Sequence, residues 1–152
     1  MNRLNIIFEK SPAEVIVEHL EAVFPNEGCG FFFGKEGKIR TVTHALVVEN
    51  AKVGDQRRRF EIDPFDFVKA ERFALEHNLV LLGVFHSHPN HPAIPSEHDL
   101  KQALPYFSYL IVSVMNRVAV KATSWRLNEK TGQFDEEKLL NHNKFLKSTT
   151  NV

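Results

Sequence analysis

The sequence predicts an α/β fold: a single domain with a mixed β-sheet flanked by helices. Three observations carry that prediction. The most apolar run, Leu79-Val80-Leu81-Leu82-Gly83-Val84-Phe85, reads as a strand buried on both faces. Two segments open on a polar cap followed by proline, Ser11-Pro12 and Asp63-Pro64, the signal of a helix start. Between them lie extended apolar stretches separated by turn residues, as strands are.

In order, Leu4 to Phe8 reads as a first strand. Ser11 then reads as an N-cap, with Pro12 at the first helical position and Glu14 closing a capping box. Ile16, Leu20 and Val23 recur at helical spacing, while Glu14, Glu18 and Glu21 take a wet face. Pro25-Asn26 ends the helix. Glu27-Gly28-Cys29-Gly30-Phe31-Phe32-Phe33-Gly34, the turn Lys35-Glu36-Gly37 and the extended segment from Ile39 to Val48 read as a hairpin. Its glycines do not have dinucleotide-fingerprint spacing, and no Lys-Ser or Lys-Thr follows as a phosphate loop needs, which excludes nucleotide binding.

Asp63-Pro64 opens a second helix with Phe67, Ala70 and Ala74 in one stripe, Val68 and Leu75 beside it, and an end near His77-Asn78. The buried strand follows, then a short helix from Glu97 or His98 to about Ala103. Tyr109 to Met115 is a further strand, turned at Asn116-Arg117 into Val118 to Trp125. Asp135 to Lys147 reads as a closing helix anchored by Leu139, Leu140 and Leu146. Residues 1–147 form the expected domain and 148–152 a flexible tail.

The chain of 152 residues carries 19 Lys plus Arg against 19 Asp plus Glu. That balance offers no nucleic-acid or membrane surface. Arg57-Arg58-Arg59 reads as a solvated loop edge, with substrate docking as the alternative. Cys29 is the single cysteine, so no intrachain disulfide forms and a reducing setting is the simpler one. The first residues are too short in apolar length for a signal peptide, and no run reaches membrane-spanning length. A cytoplasmic protein is expected.

The chemistry centres on His86-Ser87-His88-Pro89, placed where the buried strand is expected to give way to loop, and on Ser96-Glu97-His98-Asp99. Residues two apart in extended chain point to one side, so His86 and His88 can aim both imidazoles at one point. Imidazole nitrogen and carboxylate oxygen suit zinc, and a catalytic zinc keeps three protein ligands with a fourth position open to water. Asp99 is the natural third ligand, held back toward the pair by a loop that Pro89, Pro92 and Pro95 stiffen. His91 and His98 lie close enough in sequence to compete as ligands. His19, His44, His77 and His142 are read as structural. Cys29 is a possible thiol nucleophile, but its glycine and phenylalanine neighbours suggest a small buried residue.

His86-Ser87-His88-Pro89 followed by Pro95-Ser96-Glu97-His98-Asp99 resembles the H-S/T-H-P…S-x-x-D signature of the JAMM (MPN-domain) zinc metallopeptidases, with the ten-residue gap met by Pro89 to His98. Upstream, Pro25-Asn26-Glu27-Gly28-Cys29-Gly30 through Gly34 is similar to the family's P-x-E-x-C-G-x-x-x-G element. Arg59-Phe60 with Ile62-Asp63-Pro64, and Ser113 with Trp125, are less specific matches. The resemblance implies the cytidine-deaminase-like JAMM/MPN fold and one zinc per chain, with a bound water, on His86, His88 and Asp99. It also implies Glu27 as general base and Ser96 as hydrogen-bond donor to the developing oxyanion. Read on their own, Glu27 is a solvated helix-end carboxylate and Ser96 an N-cap.

The implied activity is hydrolysis of the bond after the C-terminal Gly-Gly of a ubiquitin-like protein. The short chain is more similar to prokaryotic stand-alone members associated with sulfur carriers. Two other readings stand beside it: a non-catalytic scaffold of the same fold, and a zinc hydrolase of another amide or a DNA-associated relative with H-N-H-P. Ser87 in place of asparagine and the lack of a basic stripe argue against that last relative. No His-Glu-x-x-His helix or Pro-Cys-x-x-Cys pair is present, which removes zincin and deaminase chemistry. The sequence leaves oligomeric state open.

Overall fold

The apolar run at residues 79–85 needs cover on both faces, and its neighbours supply it. The computed structural model describes residues 4–146. Its elements in order are β1 (Asn5–Phe8), α1 (Lys10–Val23), β2 (Cys29–Lys35), β3 (Arg40–Val48), α2 (Pro64–Glu76), β4 (Val80–Pro89), α3 (Glu97–Gln102), β5 (Ser108–Met115), β6 (Val118–Asn128), β7 (Gln133–Leu139) and a 3-10 turn, His142–Phe145. The mixed sheet has the order β1-β3-β2-β4-β5-β6-β7 and closes on itself as a barrel. Closure comes through β1, which pairs parallel with both β3 and β7. β4 lies inside, antiparallel to β2 and parallel to β5.

Side chains alternate across this sheet, and the three phenylalanines of β2 show both sides of it. Phe32 packs with Phe8, Ile16, Leu20, Phe85 and Leu110 around α1. Phe31 and Phe33 pack with Ala70, Ala74 and Val84 under α2. Each helix thus covers one face of the same strands, which is why β4 is apolar without alternation. Asp63 caps α2 as expected, its Oδ1 accepting from Phe65 N at 2.8 Å, with Pro64 first in the helix. Asn116 and Arg117 both have positive φ, 49° and 72°, the turn handedness that suits a two-residue hairpin.

Four expectations are corrected. First, α1 begins at Lys10 with Glu9 as its N-cap residue and no side-chain cap. Glu9 N still donates to Val42 O, continuing β1 pairing, while Glu9 O already accepts from Ala13 N. The helix therefore starts where the strand ends, and Pro12 sits within the first turn, whose N–H groups need no helical partner. Second, Val68 and Leu75 are exposed rather than packed beside the α2 stripe. Third, β4 runs on through Pro89, so both motif histidines stand on strand rather than at the start of a loop.

The fourth correction is the largest. Asp135 to Lys147 is not a helix: residues 135–139 belong to β7, and the 3-10 turn is the one helical element after it among the described residues. Asn128 Oδ1 gathers Lys130 N and Thr131 N into a turn completed by Gly132 at φ +70°, and β7 returns against β6 with Ser124 opposite Glu137. The outer edge of β7 then donates Lys138 N to Leu4 O and Leu140 N to Ile6 O. Tertiary pairing overrides the helical composition of this segment. Leu140 is exposed, and Phe145 is the anchor, stacked edge-on to Phe8 at 5.0 Å. Lys147 and the expected tail 148–152 lie outside the described residues. Among the described residues no helix is long and apolar enough to cross a membrane.

Barrel closure buries a charge. Glu137, 1% exposed, accepts from Ser124 Oγ at 2.7 Å and pairs with Arg126 through Nε at 2.7 Å and Nη2 at 2.6 Å. Removing one partner of such a pair strands the other. Glu137→Ala should cost about 3–5 kcal/mol in urea unfolding. A loss below about 1 kcal/mol, the scale of an exposed pair, would contradict this account of the β6–β7 seam.

Candidate metal centre and active site

Strand register brings the site together. Antiparallel pairing sets Cys29 against His86 and Gly30 against Phe85. Carried two residues on, that register sets Gly28 against Ser87 and Glu27 against His88. Ser87 makes the pairing real: its Oγ accepts from Gly28 N at 2.9 Å and its N donates to Gly28 O at 3.2 Å. Gly28, so held against Ser87, brings the neighbouring Glu27 up to the histidines. One ligand atom each from Glu27, His86 and His88 falls within 4.8 Å of the others.

His86 Nε2 and His88 Nε2 are 3.3 Å apart. Asp99 faces both, its Oδ1 3.3 Å from His86 Nε2 and its Oδ2 3.2 Å from His88 Nε2. A tetrahedral zinc with bonds of about 2.0–2.1 Å separates neighbouring ligand atoms by about 3.3–3.4 Å, so the spacing and the N, N, O donor set fit that ion. The rings are held by their far sides. His88 Nδ1 donates to Pro92 O at 2.8 Å, leaving Nε2 as the free lone pair. His86 stacks on Phe60 at 4.5 Å, and its buried Nδ1 has no hydrogen-bond partner among the described residues. Stacking, rather than a carbonyl, orients that ring.

Asp99 is the third residue of α3 and closes a capping box. Ser96 Oγ accepts from Asp99 N at 3.0 Å, and Asp99 Oδ2 accepts from Ser96 N at 2.9 Å. The N-cap reading of Ser96 therefore holds, and its hydroxyl hydrogen is left over to donate. Ser96 lines a pocket of about 470 Å³ with Glu27, Arg58, His88, His91, Pro92 and Ile94.

Electrostatics separates the two carboxylates. Burial pushes the Glu27 carboxyl up to about 8; the charges of His88 and Arg59 oppose the rise and that of Asp99 adds to it. Asp99 is buried too, yet His86, His88 and the Ser96 N–H hold its carboxyl well below the usual range. Burial lowers His86. In His88 burial is outweighed by Asp99 and the Pro92 carbonyl, which raise it. One carboxylate is thus fixed as an anion for a cation to use, and the other is poised to carry a proton.

The competing residues fall away from this point. His98 Nδ1 accepts from Arg59 Nη1 at 2.7 Å, and exposed His91 offers its carbonyl to Ser113 Oγ. Neither ring joins the cluster. Cys29 is buried against Val48 and Glu49 carbonyls, and burial pushes its thiol up to about 12, so it is no nucleophile. Glu27 is 5% exposed, not the solvated carboxylate of the isolated reading. Sequence reasoning left Ser87 and Phe60 without a role and did not single out Asn50 or Gln56. Only Asn50 carried a local signal, as an asparagine able to turn the chain where a strand ends.

A barrel that converges two imidazoles and a carboxylate beside a proton-carrying glutamate has the pattern of a single-metal hydrolase. The family profile described as prokaryotic homologs of the JAB domain matches residues 9–128, and the chain belongs to that family. It is 36% identical over 104 residues to a desampylase of Pyrococcus furiosus, an alignment spanning 68% of this chain and 69% of that protein. It is 32% identical over 93 residues to a probable TtuB-protein conjugate cleaving protease of Thermus thermophilus, spanning 61% and 60%. Among solved structures, a Desulfitobacterium hafniense protein superposes with TM-score 0.77 at 31% identity, covering 89% of this chain and 91% of its own. A JAB1/MPN domain protein from Archaeoglobus fulgidus shares the fold, with TM-score 0.52 at 16% identity over 90% and 98%.

The raised Glu27 carboxyl has a thermodynamic consequence in metal-free protein. An unfolded glutamate ionises near 4.3, so between that pH and about 8 the native state holds a proton the unfolded state has released. Stability should fall as pH rises through this window. Glu27→Gln, neutral throughout, should escape that part of the fall. In EDTA its unfolding free energy from urea titration should match wild type near pH 4.5 and exceed it by on the order of a few kcal/mol near pH 8.5. A constant gap across the range would contradict the assignment.

Proposed function

We propose that this chain is a zinc-dependent peptidase that hydrolyses the bond after the C-terminal Gly-Gly of a ubiquitin-like protein of the sulfur-carrier kind, acting in the cytoplasm. The observation that carries the reading is the convergence of His86 and His88 on Asp99, with Glu27 close to the same two imidazoles. The relatives named desampylase and TtuB-conjugate cleaving protease support the substrate class.

One zinc per chain on His86, His88 and Asp99 would supply Lewis acidity and a water of lowered pKa. The remaining work falls to this chain's side chains. Glu27 takes a proton from the attacking water and returns it to the leaving amine, a task suited to a carboxyl moved toward neutrality by burial. Ser96 keeps its capping acceptor occupied by Asp99 N and donates its hydroxyl hydrogen to the carbonyl oxygen as negative charge develops there. Arg58, at the pocket wall, meets the substrate's main chain. A Gly-Gly tail fits because it can lie against the pocket without side chains to clash.

Glu27→Gln should lower kcat on a ubiquitin-like carrier fused through Gly-Gly to a reporter by about 10³-fold or more, while zinc per chain stays unchanged. Retained cleavage would remove Glu27 from the mechanism. An inactive wild type with its zinc bound, tested across such carriers, would refute the substrate class.

A further inference from the structure

The segment between β3 and α2, residues 49–63, contributes Arg58 to the pocket lining and has no regular secondary structure. Its shape is tied by a single side chain. Asn50 Nδ2 donates to Glu27 O and to Arg59 O, each at 3.0 Å. Asn50 Oδ1 accepts from Lys52 N at 3.0 Å and from Glu61 N at 3.1 Å. One carboxamide thus satisfies four backbone groups from four places in the chain. Gln56 adds a second tie: its Nε2 donates to Asn50 O and Lys52 O, and its own carbonyl accepts from Glu27 N at 2.7 Å.

Both backbone polar groups of Glu27 therefore end on this loop, the N–H on Gln56 and the carbonyl on Asn50. The sheet does not pair either of them, because β2 begins at Cys29. The other end of the knot reaches α3. Arg59, whose carbonyl Asn50 holds, donates from Nη1 to His98 beside Asp99 on α3, and the next residue, Phe60, stacks on His86.

We propose that Asn50 is a positioning residue that sets the general base, fixing Glu27 from outside the sheet and locking the Arg58–Phe60 segment to it in one arrangement. It touches neither substrate nor metal. It acts through Glu27 and the loop, and a displacement of about 1 Å at a reacting group is enough to cost on the order of 10²-fold in rate. The metal ligands are carried by β4 and α3 themselves, and the loop meets them only where Phe60 stacks on His86 and Arg59 bonds His98.

Two variants separate the contributions. Asn50→Ala removes all four bonds, and Asn50→Asp keeps the acceptors for Lys52 and Glu61 but loses both donors. The kinetic arm rests on the peptidase reading, whereas hydrogen exchange and zinc content do not. For Asn50→Ala, amide exchange in residues 50–61 and at Glu27 should quicken by about tenfold or more, with β4 and α2 unchanged and zinc per chain unchanged. On the Gly-Gly reporter, kcat should fall at least about tenfold with KM within about threefold. Asn50→Asp should free Glu27 while sparing the turn at Lys52. If Asn50→Ala exchanges globally, Asn50→Asp carries the same test.

Unchanged exchange in the loop, or wild-type kcat in both variants, would overturn the proposal. So would loss of zinc binding in parallel with kcat, since that is a structural defect of the whole site. A wild type inactive on the reporter would count against the peptidase reading, with exchange at Glu27 still deciding the role of Asn50.

Discussion

The pairing of β2 with β4 is the constraint on which the site depends. An antiparallel slip of one residue would turn the side chains of the moving strand to the opposite face, taking Glu27 away from His88 and Phe32 out of the α1 core together. The structure guards against it with aromatic packing on both faces and with Ser87, whose backbone and hydroxyl together hold Gly28. Gly30 and Gly83 contribute by having no side chain. A Cβ at Gly30 would meet Phe85 at 2.4 Å, and one at Gly83 would meet the Ser108 carbonyl at 1.9 Å. Catalytic register and core register are therefore the same register.

From that frame the two carboxylates diverge by environment alone. Asp99 sits at a helix start between two imidazoles and keeps its charge. Glu27 lies on the far side of the same histidines, buried, with both main-chain groups committed to the neighbouring loop. Burial makes its carboxylate the stronger base of the two. The proposed division of labour between ligand and base thus follows from these two surroundings.

Much of this was legible before any coordinates. Period-two spacing put His86 and His88 on one side, and the proline-rich interval with Ser96 and Asp99 predicted a third donor folded back on a capped helix. The apolar run at 79–85 predicted an interior strand, and Asp63-Pro64 predicted where α2 begins. What could not be read was set by tertiary pairing. Asp135-Glu136-Glu137-Lys138 has helical composition, and only the Arg126 and Ser124 side chains waiting opposite make Glu137 a buried strand residue. Barrel closure depends on β1 finding β7 more than 120 residues away. Glu27 looked like a solvated carboxylate because the loop that covers it has no periodicity. Asn50 was passed over for the same reason, its four partners being scattered through the chain.

The proposed metal site consists of His86, His88 and Asp99. Metal per chain, measured by native mass spectrometry on purified protein beside His88→Ala prepared identically, tests it most directly. The account predicts about one zinc per chain in the wild type and its loss in the variant. Equal zinc in both would place the ion elsewhere, and no metal in either after incubation with zinc would contradict the site altogether.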